Sequence, residues 1–223
     1  MPEVSSTPDR EFAKSVVAKL RTAGFESLWA GGCVRDQLLG LVPKDYDVAT
    51  SATPDEIREV FGKRKTLPIG AAFGVITVLG PRSAGPIEVA TFRRDATYSD
   101  GRHPDSVAFS NAEEDARRRD FTINGLFYDP MSDEVIDYVD GQADLEARVI
   151  RAIGNAEERL DEDKLRMLRA IRFATTLGFA IEASTLEAVQ RHANEIAVVS
   201  AERITAELRR LLTNKNRRRG LEL

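Results

Sequence analysis

The residues best suited to chemistry stand close together early in the chain. Gly31-Gly32-Cys33-Val34-Arg35-Asp36 is followed by Lys44-Asp45-Tyr46-Asp47. Paired glycines at a strand-to-helix junction let backbone N–H groups approach an anion, and the helix start adds a favourable dipole. That combination suits a triphosphate. Asp45 and Asp47 are two apart, so on a strand both project from one face. Two carboxylates side by side repel unless a cation separates them, and Mg²⁺ takes carboxylates together with phosphate oxygens. The pattern fits two-metal catalysis, one ion at an attacking hydroxyl and one at a leaving pyrophosphate. Alone, the glycines read as a tight turn and the Asp pair as a solvated strand face. Their order and short spacing at the end of a strand favour a site. Glu88, in Ile87-Glu88-Val89, is the candidate third carboxylate on a neighbouring strand, and it reads equally as the polar side of an edge strand.

Two further groups follow. Arg117-Arg118-Arg119-Asp120-Phe121-Thr122-Ile123-Asn124 places three arginines before an apolar segment, which suits charge neutralisation beside a phosphate-rich ligand. Asp120 and Asn124, four apart, are expected on one helix face, where they can meet a ribose hydroxyl. A solvated charged helix start is the plainer reading. Farther on, Asp163 and Arg166 are three apart in an expected helix, an acceptor beside a forked donor, matching the Watson–Crick edge of a base. Arg169 and Arg172 continue the row toward phosphate. A surface salt bridge of little energetic weight is the plainer reading of this pair.

These residues need a scaffold of mixed α and β followed by helices. Apolar spacing predicts a helix over Glu11–Leu20, a strand at Ser27–Ala30 and a short helix after Gly32. Thr53-Pro54-Asp55-Glu56 is a helix start. Gly74–Leu79 and Ile87–Phe92 read as paired strands, and Val135–Val139 as another. Arg93–Asn111 has no periodicity and reads as a long functional loop. The β signal then ends. Asp161–Leu177, Ser184–Val198 and Ala201–Leu212 read as helices, and the last ten residues as a basic tip.

Composition agrees with a folded chain: 223 residues, 42% apolar and 30% charged, with one cysteine, Cys33. No apolar run spans a membrane, no secretory signal opens the chain, and a single cysteine builds no disulfide framework. A cytoplasmic setting is the expectation. The net charge of -4 hides a split: 17 basic and 25 acidic residues to Ala147, then 15 and 11 from Arg148. A basic C-terminal segment is a modest pointer to nucleic acid.

Taken in order, Gly31-Gly32-x-x-Arg35-Asp36, Asp45-x-Asp47, Arg118-Arg119-Asp120-Phe121-Thr122-Ile123-Asn124, Glu162-Asp163-x-x-Arg166 and Glu202-Arg203-Ile204-x-x-Glu207-Leu208 resemble the class II tRNA nucleotidyltransferases (CCA-adding enzymes) and the related bacterial poly(A) polymerases. The resemblance implies an α+β fold: a polymerase β-like nucleotidyltransferase head with a small mixed sheet over residues 1–147, then an all-α neck over 148–223. The family's body and tail are expected to be absent. It implies Mg²⁺ held by Asp45 and Asp47. Gly31, Gly32 and Arg35 would sit at the triphosphate, and Arg119, Asp120 and Asn124 on the ribose and triphosphate side. Asp163 and Arg166 would read the base, with Glu202 and Arg203 supporting the neck helix. The implied reaction adds CMP and AMP from CTP and ATP to the 3′ end of tRNA. Leu67–Gly74 leans toward that form over poly(A) addition. Poly(A), CC-only or A-only addition stay open, as does a non-catalytic RNA- or nucleotide-binding module. Oligomeric state is not legible.

Overall fold

The computed structural model describes residues 6–95 and 107–223, and its contacts form two compact units. The first takes residues up to 95, then 107–118 and 124–139. Its leading helix, Pro8–Thr22 (α1), starts where the Thr7 hydroxyl accepts from the Arg10 N–H, with Pro8 and Asp9 in the first turn. It buries Ala13, Val16, Val17 and Leu20. Ser27–Ala30 (β1), Gly32–Leu38 (α2) and Asp47–Thr50 (β2) follow. Pro54–Phe61 (α3) starts where its sequence predicts, and the structure adds a reciprocal Thr53–Glu56 capping box. Thr66–Leu67 (β3), Val75–Val78 (β4) and Ile87–Thr91 (β5) complete the strands on this side.

The expected loop over Arg93–Asn111 is corrected at its ends. Arg93–Asp95 (β6) pairs antiparallel with Val107–Phe109 (β7). Such short, partly charged strands carry no alternation, so only their non-local pairing reveals them. Residues 96–106 of that stretch lie outside the described residues. Ala112–Arg117 (α4), Phe127–Asp129 (β8) and Glu134–Ile136 (β9) close the unit.

Seven strands form one mixed sheet in the order β3-β4-β5-β2-β1-β8-β9. The β2–β5 pair is parallel, and its neighbours are antiparallel. Alternation along β1 divides the packing. Leu28 and Ala30 join a core with Ala49, Phe92, Ala112, Ala116 and Phe127, while the buried Trp29 meets Tyr46 edge-on at 4.9 Å.

The second unit takes residues 119–123 and 140 onward. Gly141–Ala147 (α5), Val149–Ile150 (β10), Ala156–Glu162 (α6), Leu165–Leu177 (α7), Ala180–Ile181 (β11), Ala183–His192 (α8), Ala201–Leu212 (α9) and Arg217–Glu222 (α10) run in order. Phe121, Ile150, Leu160, Ala170 and Ala174 are buried in it.

Several expectations change here. β10 and β11 form a short parallel pair where no strand was expected. The helix predicted over Asp161–Leu177 breaks at Asp163, whose backbone is extended and whose carboxylate accepts from the Leu165 N–H at 3.0 Å. The Ser184–Val198 helix continues beyond His192 only as a 3₁₀ segment, Ala193–Val198. The basic tip is helical: the buried Gly220 packs so closely that an added Cβ would meet Thr175 Oγ1 at 2.5 Å.

Candidate active site

Asp45, Asp47 and Glu88 line one cavity at the edge of the β2–β5 pair. Asp45 precedes β2 and Asp47 opens it. Both are exposed, while the intervening Tyr46 is buried against Trp29. This out-in-out alternation gives the two aspartates one open side. In the parallel β2–β5 pair Asp47 is the register partner of Glu88, and adjacent strands lie about 4.8 Å apart. Glu88 is exposed too. A cavity of about 390 Å³ is lined by Asp45, Asp47 and Glu88 together with Lys44, Thr77 and Asp9. Lys44 and Asp9 were not singled out from the sequence. Lys44 gave a signal through its place beside Asp45, whereas Asp9 lies 36 residues upstream of Asp45 and gave none.

The donor set fits a hard divalent cation. It offers the exposed carboxylates of Asp45, Asp47 and Glu88 and the half-buried one of Asp9, and no sulfur or imidazole, with open space for phosphate or water oxygens to complete the shell. A second group, Asp161, His192 and Glu195, gathers its donor atoms within 4.8 Å. There the Lys164 ammonium already acts as the cation, bonded to Asp161, 2.5 Å from Glu195 and 3.1 Å from His192 Nδ1. Burial opposes the charged form of Lys164, but its bonds to Asp161 and Glu195 outweigh that and raise its pKa.

Gly31 connects β1 to α2 with φ +73 and ψ -125, a conformation that strains any residue with a Cβ. Its N–H donates to the Leu126 carbonyl at 3.0 Å, and its own carbonyl accepts from the N–H groups of Val34 and Arg35. Gly32 is the first helical residue. Arg35, 9% exposed, donates through Nε and Nη2 to Asp36 and through Nη1 to Asn124 Oδ1 at 2.6 Å. The structure therefore brings Arg35 and Asn124 together across 89 positions of sequence.

Asp120 and Asn124 do not share a helix face. A bridge at Phe121 and a 3₁₀ turn over Thr122–Asn124 replace the expected helix. Asp120 instead accepts from the Phe121 N–H and from Arg169, whose Nε and Nη2 lie 2.8 and 2.5 Å away. The arginine triplet sits at the end of α4, not at a helix start. Arg117 pairs with Glu113 and Arg118 with Asp115, where the helix dipole favours cations. Arg119 is half-buried in the second unit.

The Arg166 N–H donates to the Asp163 carbonyl at 3.0 Å, while their side chains take partners elsewhere. Arg203 grips Asp163 in bidentate fashion, at 3.1 and 2.6 Å. A carboxylate has about four acceptor sites. Arg203 and the Leu165 N–H take three, leaving one on Oδ2. Arg166 donates to Glu162 and to the Arg159 carbonyl. Arg172 does not reach toward an exposed phosphate site: it is 8% exposed, donates to Glu207, and lies 3.8 Å from the Phe173 ring centroid. Burial pulls its pKa down. The negative charge of Asp120 raises that of Arg169, whose Nη1 is 3.8 Å from Glu207. Glu207, 5% exposed, thus anchors both arginines. Its signal was its place four residues after Arg203 in α9.

Comparisons with known proteins show the family. Residues 28–151 match the family model described as the poly A polymerase head domain. Residues 178–223 match the model for the probable RNA- and SrmB-binding site of polymerase A. A CCA-adding enzyme of Ligilactobacillus salivarius is 44% identical over 222 residues, covering 98% of this chain and 54% of that protein. The structure of a Bacillus stearothermophilus CCA-adding enzyme in complex with CTP matches with a TM-score of 0.86 and 37% identity, over 97% of this chain and 51% of that one. A Thermotoga maritima CCA-adding enzyme complexed with tRNA matches with a TM-score of 0.80 and 26% identity, over 99% and 51%. The chain spans about half the length of these relatives. No helix among the described residues is long and apolar enough to cross a membrane. The chain belongs to the poly A polymerase head domain family, and over nearly its whole length it is similar to CCA-adding enzymes.

Proposed function

We propose that this chain carries the catalytic head and nucleotide-selecting neck of a template-independent tRNA nucleotidyltransferase, with residues 1–147 as head and 148–223 as neck. The reaction is attack of an RNA 3′-hydroxyl on the α-phosphate of CTP or ATP, with release of pyrophosphate. The observation that carries the reading is the Asp47–Glu88 register pair with Asp45 on one cavity, beside a strand-to-helix turn that only glycine at position 31 suits. Asp45 and Asp47 would hold Mg²⁺, with Glu88 as the third carboxylate. When bound, the metal would supply charge withdrawal from the phosphate and acidification of the attacking hydroxyl.

Gly31 and Gly32 keep the turn before α2 narrow for the triphosphate. Arg35 holds Asn124 on the ribose side, and Arg119 adds charge for phosphate. Cytosine and adenine each present an exocyclic amine on the Watson–Crick edge. The remaining acceptor site on Asp163 suits that amine, and Arg166 supplies the donor for the neighbouring ring nitrogen. Asp120 acts through its ion pair with Arg169, and Arg169 and Arg172 through theirs with Glu207.

Incubation with Mg²⁺, CTP, ATP and a tRNA lacking its CCA end tests this on a sequencing gel. Three added nucleotides support it, and a long adenylate ladder would favour poly(A) addition. Binding of CTP that requires Mg²⁺ and disappears in Asp47→Asn supports the metal site independently of turnover. CTP affinity unchanged by both Asp45→Asn and Asp47→Asn would sink it.

A further inference from the structure

We infer that Asp9 on α1 is a positioning residue, holding the turn between β4 and β5 so that Glu88 stays beside Asp47. This rests on the proposed reading for the role of Glu88. Asp9 lies before the segment that matches the head-domain family. Its Oδ1 accepts from the Gly85 N–H at 2.7 Å, across 76 positions of sequence. Gly85 stands three residues before Glu88, and Asp9, Gly85 and Glu88 all line the same cavity.

The other end of the turn makes an independent contact with the same helix. A Cβ added to Gly80 would meet the Phe12 ring at 2.8 and 2.9 Å, and the Gly85 carbonyl at 3.0 Å. Real side chains do not approach so closely, so the turn is seated on α1 at both Asp9 and Phe12. The helix is a firm support, because Val16, Val17 and Leu20 are fully buried. Pro86 fixes its own φ between Gly85 and Ile87, so the position of Gly85 is transmitted to the strand carrying Glu88. Without the Asp9 bond, the turn samples positions in which Glu88 leaves its place beside Asp47, and a cation bound by the carboxylates is held less tightly.

The test is Mn²⁺ binding to the 223-residue chain in the presence of CTP, read from the free-ion electron paramagnetic resonance signal, with thermal melts alongside. Asp9→Ala should raise the half-saturating Mn²⁺ concentration about fivefold, the effect of one lost hydrogen bond. Asp9→Asn keeps the acceptor and should restore binding to within about twofold. Gly80→Ala, which pushes the turn off Phe12, should reproduce Asp9→Ala. Asp9→Ala binding like the wild type, while Asp47→Asn loses Mn²⁺, would overturn the role of Asp9 and leave the carboxylate site standing. Asp9→Asn as weak as Asp9→Ala would also overturn it, because the charge would then act directly. Mn²⁺ binding that survives Asp47→Asn would remove the underlying reading instead.

Discussion

Glu207→Ala offers a sharp test of the charge network in the second unit. The Glu207 carboxylate accepts from Arg172 Nε and lies 3.8 Å from Arg169 Nη1 and 3.7 Å from Arg210 Nη1. The Arg172 and Glu207 side chains are only 10% and 6% exposed. Removing the carboxylate leaves Arg172 with its charge in a site that already penalises it, beside the like charge of Arg169. Breaking one partner of a buried pair costs about 3–5 kcal/mol. For a chain of this length each kcal/mol shifts the melting temperature by about 2–4 °C, so a drop of about 6–20 °C is expected by calorimetry at neutral pH. The double variant Arg172→Leu/Glu207→Leu removes both charges and should return to within about 1 kcal/mol of the parent. A loss below about 1 kcal/mol in Glu207→Ala would refute the reasoning, because the pair would then behave as a solvated surface bridge.

Three further outcomes follow from the structure. Burial opposes the charged form of Glu182, but bonds from Ser184 and Thr185 at the start of α8 outweigh it and lower its pKa from 4.5 to about 2. The resulting stability, up to about 3 kcal/mol, is present above pH 4.5 and lost as pH falls toward 2, so denaturant midpoints of wild type and Glu182→Gln should converge in acid. His192 behaves oppositely. Burial works against its charge, yet Glu195 and Glu157 raise its pKa above 6.5. Its contribution is full below pH 6.5 and fades as pH rises through the raised value, so His192→Gln should be most destabilised in mild acid, checked by melts across pH 5–9. Gly31→Ala forces a Cβ into φ +73 and should cost about 1–3 kcal/mol in chemical denaturation; a neutral effect would mean that the turn relaxes freely.

What the sequence disclosed was local. The β1 strand, the Gly31 turn, the Asp45–Asp47 alternation and the α3 start each depend on neighbours a few residues apart, and each is found where its pattern puts it. Glu88 was legible only as an open choice, since its place beside Asp47 depends on parallel pairing of strands 41 positions apart. The side-chain partners were not legible at all. Asp120 meets Arg169 across 49 positions and Asp163 meets Arg203 across 40. Spacing rules assign partners within one helix, and here Asp163 interrupts the helix by bonding the first N–H of α7. The same failure hid β6, β7, β10 and β11, which are too short to show a period.

The assignment of Asp45 and Asp47 as metal ligands, with Glu88 beside them, is open to a direct test. Anomalous diffraction from crystals soaked with Mn²⁺ and CTP addresses it directly. The expected result is a Mn²⁺ peak against Asp45 and Asp47 in the cavity that Glu88 also lines, with the triphosphate beside it. A peak confined to Asp161, His192 and Glu195, displacing the Lys164 ammonium, would contradict it.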